Sequence, residues 1–189
     1  MNSSIPALLV GWQSYYVIIG SSGAALTGLQ FVVMALIAES PMAANAGEAG
    51  VAAFGSPNIV HFCAALMLSA MLSAPWPEGA SVALAMDVLG AAGMLYALNV
   101  VRRALRQESY KMVFEDWLWH LILPFVAYTT FFVAGLMLPS RPVHALFIAA
   151  VSPAALLYIG IHNAWDSITY TVLKHAKARA EARAEAANK

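Results

Sequence analysis

Charge is scarce in this sequence. Asp, Glu, Lys and Arg make up 11% of its 189 residues, against about 25% in an ordinary soluble domain. The ten acids balance the ten bases, so no global field favours nucleic acid or an acidic partner. Cysteine is scarcer still. Cys63 stands alone, which excludes an intrachain disulfide and leaves the redox compartment open. No close ligand pair such as HxxxH or CxxC occurs, and no serine has a suitably placed histidine, so hydrolytic chemistry has little basis. The opening MNSSIPALLVGWQ lacks the basic start and cleavage pattern of a signal peptide. The first long apolar helix is therefore expected to direct insertion itself.

What is abundant is apolar surface. Hydrophobic residues reach 61%, against roughly 45–50% in soluble domains, and a water-soluble fold of this length has too little interior to hide them. The composition implies an all-α, polytopic integral membrane protein with the bilayer as its solvent. A hydrocarbon core of about 30 Å takes about 20 mostly apolar residues. Five stretches meet that length: 16–37, 57–76, 81–101, 117–138 and 143–173. Residues 1–173 thus read as one five-helix transmembrane bundle, with 174–189 a basic, Ala-rich helical tail. PEG at 77–79 and PSRP at 139–142 read as tight connections between spans. Residues 39–56 read as a loop or short interfacial piece, and 108–117 (ESYKMVFEDW) as an interfacial helix.

The basic residues give a direction. Arg102, Arg103, Arg106 and Lys111 follow span three, and Lys174, Lys177, Arg179, Arg183 and Lys189 follow span five. With five spans these nine of the ten lie on one face, and only Arg141 lies on the other. The positive-inside rule then predicts a multi-pass plasma (inner) membrane protein of bacterial type, N-terminus outside and C-terminus cytoplasmic. Trp76, Trp117 and Trp119 fall where an aromatic belt is expected.

Between membrane helices, small residues permit close backbone approach. Gly20, Ala24 and Gly28 recur every four residues in span one and predict a packing stripe, against another span or another copy. Gly90, Gly93 and Ala97 form a weaker version in span three. Pro124 and Pro153 fall inside spans four and five, where each removes a helix hydrogen bond and is expected to kink its helix.

Against this apolar background the polar residues stand out. At about 1.5 Å per residue, His61, His120 and His162 fall in the cytoplasmic half of the membrane, as do Gln30 and Asn99. Asp166 follows His162 by one turn on the same face, and Asp87 lies in the outer half. Ionisable groups at such depths are costly and usually face a bundle interior or a watery cavity. A His/Asp polar pocket open to the cytoplasm is expected. Three readings follow. The favoured one is a small channel or transporter for protons, ions or a small solute, with His162 and Asp166 as a pH-sensitive pair and Asp87 as a second station. The second is a membrane redox subunit. There His61 and His120 would ligate haem axially, or His61, His120, His162 and Asp166 would hold zinc or iron. The third is an accessory subunit of a larger membrane complex, with the polar groups serving only as interhelical hydrogen bonds. Expected partners are the lipid bilayer and further copies of the chain, with no nucleic acid.

Overall fold

The structure is a computed structural model in which residues 4–39, 58–105 and 114–187 are described. The proposed interfacial piece at 40–56 and most of the stretch at 108–117 lie outside these residues. The described chain is helical throughout, apart from short turns. A short α1 (Ile5–Val10) turns at Gly11 into α2 (Gln13–Glu39). Then come α3 (Asn58–Ser73) and α4 (Gly79–Leu105). A single turn, α5 (Phe114–Trp117), leads through a π-helical segment (Leu118–Ile122) into α6 (Leu123–Met137). The chain ends in α7 (Pro142–Ala187).

Among the described residues, four helical stretches are long and apolar enough to cross a membrane: Gln13–Ala35, Gly79–Arg102, Leu118–Met137 and Pro142–Asp166. The predicted second span ends earlier than the sequence implied. Its helix stops at Ser73, before Pro75 and Pro77, because a proline lacks the N–H that would continue the helix and drives the preceding residue out of helical geometry. The described part of this helix, Asn58–Ser73, is about 24 Å long at 1.5 Å per residue. The chain that follows is stitched back on itself, with the Trp76 indole donating to the Met71 carbonyl at 2.7 Å. The predicted tight connection at 139–142 is a turn, closed by the Ser140 and Arg141 amides on the Met137 carbonyl. The Ala-rich tail continues α7 as one helix to Ala187, and Pro153 sits inside that helix without ending it.

The core is shared by α3, α4, α6 and α7. Met86, Phe131, Leu138, Leu146 and Leu156 have essentially no exposed surface. Small residues decide how closely the helices approach. A Cβ added to Gly90 of α4 would lie 2.8 Å from the Phe132 backbone of α6. Gly93 lies under the Tyr128 ring, and Gly135 lies against the Asp87 carboxylate. The weaker of the two predicted stripes thus forms the closest contact. The stronger one divides. Gly20 meets the Ser69 side chain of α3, and a Cβ on Gly23 would lie 2.8 Å from the Phe62 carbonyl. Ala24 and Gly28 instead are exposed, and nothing lies within 4 Å of Gly28. The packed face of α2 runs Tyr16, Gly20, Gly23, Thr27, Gln30, a helical spacing displaced by one position from the expected stripe.

The surface is as apolar as the composition requires. Val17, Ile18, Leu29 and Phe31 on α2, and Leu84, Val88 and Leu95 on α4, are each more than half exposed. Contiguous apolar area of this extent is rare on a water-facing monomer, and a bilayer removes its cost.

Candidate functional site

The site begins with a proline. Pro124 has no N–H, so it cannot bond back to a carbonyl one turn earlier. The preceding turn widens to a π segment in which the Leu123 amide reaches the Leu118 carbonyl. Trp119 is the carbonyl left over, because Leu123 is already engaged one residue earlier and Pro124 has nothing to donate. Asn163 of α7 takes that role. Its side-chain amide donates to the Trp119 carbonyl at 3.4 Å, long for such a bond but made from a fully buried residue. Single π turns inside helices recur at functional sites.

The neighbouring residue of α7 completes the joint. The His162 imidazole lies parallel to the Trp119 indole, with centroids 3.6 Å apart and 8° between planes. Tyr158, one turn earlier on α7, meets the same indole at 5.8 Å. Next to Trp119 in the π segment is His120. His61 is 3% exposed, and α3 is held beside α7 by Phe62, whose ring lies where a side chain on Gly160 would have to go. One end of the bundle thus gathers three imidazoles from three elements. The Nδ1 atoms of His61, His120 and His162 are all buried without a hydrogen-bond partner. Buried polar atoms seldom go unpaired. Each of these rings keeps a nitrogen on which a proton, or a hydrogen bond from a bound molecule, can be received.

The other expected members fall differently. Gln30 is buried on the packed face of α2. It is one turn beyond Thr27, whose hydroxyl lies 3.8 Å from the Cys63 thiol, and so sits toward the histidine end. Asn99 is exposed on α4 and does not join the pocket. Asp166 is exposed as well, because the bundle ends at Asn163 while the helix continues. The His162–Asp166 pairing therefore lies at the rim of the site. Asp87 belongs to a different interface, between α4 and α6, where its Oδ1 is buried without a partner beside Gly135. Among the described residues no three His, Cys, Asp or Glu side chains come together as a metal shell. The four-ligand arrangement of His61, His120, His162 and Asp166 is not assembled.

The sequence places Trp119 in the interfacial belt and does not put Asn163 among the site candidates. The available signal was Pro124, five residues after Trp119 and four after His120. A proline at that spacing leaves carbonyls to be satisfied from elsewhere. Replacing Asn163 by alanine removes the donor to the Trp119 carbonyl. It is expected to cost about 1–3 kcal/mol, the usual range for stranding a buried polar group, read as a lower unfolding midpoint of the purified protein in detergent.

Fold and site together define an all-α bundle with four helices among the described residues long and apolar enough to span a membrane, and with three imidazoles at one end whose Nδ1 atoms are buried. No protein-family model, no curated protein and no solved structure matches the chain.

Proposed function

We propose that the protein is a small membrane channel or transporter whose cargo is the proton, an ion or a small solute, the proton being the cargo its chemistry suits best. The observation that carries this reading is the set of three buried Nδ1 atoms on His61, His120 and His162. Histidine is the side chain that changes charge between about pH 5 and 8. It takes a proton on one ring nitrogen and releases one from the other, so neighbouring imidazoles pass protons without moving their helices. Ionisable groups held among apolar helices mark ion pathways by default. Asp87, in the other half of the bundle, supplies a second station. In this reading α3 completes a five-span bundle in the plasma membrane. The histidine end faces the cytoplasm with the basic tail, and the exposed Ala24 and Gly28 are offered to a further copy of the chain.

The test is proton flux into liposomes reported by an internal pH dye. The wild type is expected to collapse an imposed pH gradient, and His61→Gln is expected to reduce that rate at least tenfold. Wild-type liposomes as tight as empty ones at every pH from about 5 to 8, the window in which histidine titrates, defeat the reading.

A second reading draws on His61 and His120 coming from separate elements at one end of the bundle, which would suit two imidazole ligands to a haem. A visible spectrum of the purified protein decides it, since bound haem gives an intense near-ultraviolet band.

A further inference from the structure

We propose that His162 on Trp119 is a proton-operated latch that fastens α7 to the π segment and so controls access to the His61–His120 pair. The role of gating rests on the proton-moving reading above, whereas the latch itself rests on geometry alone. The His162 ring lies parallel to the indole at 3.6 Å, and the Asn163 amide holds the same residue's carbonyl. Two successive residues of α7 thus grip a single residue of the neighbouring helix, at the one turn where that helix has lost its regular hydrogen bonds. Beyond this grip α7 runs on to Ala187, so any movement of its far end is levered about Trp119.

The grip depends on charge. A neutral imidazole holds an indole by dispersion and ring stacking alone. An imidazolium adds attraction to the negative face of the ring, and tryptophan is the strongest partner for a cation among the aromatic side chains. The groups around His162 set the sign. His120 on the π segment and His61 on α3 oppose its charge if they too are protonated. Asp166, one turn further along α7 and exposed, favours it. Arg102, at the corresponding end of α4, is exposed to solvent. Positive charge on His162 tightens the latch, and positive charge on His120 or His61 opposes it.

Trp119 reports the state of the latch, because a stacked imidazolium accepts an electron from an excited indole and quenches its emission. Tryptophan emission of the whole protein in lipid nanodiscs is measured as the pH is lowered from about 8 to about 5. The wild type is expected to lose part of its emission. His162→Phe, which keeps a stacked ring but carries no proton, and Trp119→Phe are both expected to abolish that loss. His120→Gln is expected to retain it. The latch is overturned if wild-type emission does not change, or if the loss persists in His162→Phe.

If either variant fails to fold, proton NMR of the histidine-labelled wild type takes its place. The His162 ring protons are expected to be shifted strongly upfield by the indole, and an unshifted signal overturns the stack. Emission that responds to pH in a protein with no proton flux supports the latch and defeats the proton-moving reading. Flux accompanied by pH-independent emission does the reverse.

Discussion

Gly90→Leu is expected to force α4 and α6 apart and lower the stability of the bundle sharply. Position 90 faces the Phe132 backbone, not a side-chain tip, and a single added Cβ already comes to 2.8 Å of three Phe132 atoms. A backbone cannot rotate aside, so α4 and α6 must separate. The loss extends to Gly93 under Tyr128 and to Gly135 against Met86 and Asp87. Overpacking typically costs about 1–3 kcal/mol and sometimes more. The upper end or beyond is expected here, because membrane helices are held largely by close van der Waals contact. Thermal unfolding in detergent checks it, with Gly28→Leu as the comparison. Nothing lies within 4 Å of Gly28, so that change should fall within about 0.5 kcal/mol of wild type, as surface substitutions do. Equal losses at both positions would show that the exposed face of α2 is packed on another copy.

Phe131→Ala is the second large effect, with the opposite cause. Phe131 has no exposed surface and belongs to the buried cluster that joins α6 to α4 and α7. Its removal leaves a hole that the surrounding helices, fixed by their own small-residue contacts, have little freedom to fill. Truncation of a buried Phe to Ala costs about 3–5 kcal/mol, because the atoms lining the void lose their dispersion partners. The expected result is a midpoint lowered by more than that of Asn163→Ala. A variant as stable as wild type would mean that lipid or a neighbouring side chain enters the space.

The histidine cluster was partly legible in the chain. A count of residues along each helix was enough to bring His61, His120 and His162 toward the same end, because rise per residue is fixed and short connections force neighbouring helices to run antiparallel. The same count failed for Asn99 and Asp166. Depth along a helix says nothing about rotation around it, and these two residues point away from the interior or lie beyond it. The glycine stripe is divided for the same reason. A four-residue repeat drifts around a helix of 3.6 residues per turn, so Gly20 packs against α3 while Gly28 has turned outward. Gly23, three residues from Gly20, keeps the contact.

Composition and hydropathy by themselves determined the class of molecule: helical, and apolar on its surface as well as inside, with several stretches long enough to cross a bilayer, five by sequence where the described residues show four. Such properties are sums over many residues, and no single contact alters them. Only the tertiary structure decided that Trp119 belongs to the site and that Asn163 caps its carbonyl. It also put Asp87 in the interface between α4 and α6, beside Gly135. Those outcomes depend on which face each helix turns toward its neighbours. That rotation is fixed by a few close approaches, at Gly90, Gly23 and Gly160, and by one proline that leaves a carbonyl unpaired. The partners in each approach lie far apart in the chain, and no periodicity read along one helix contains the other.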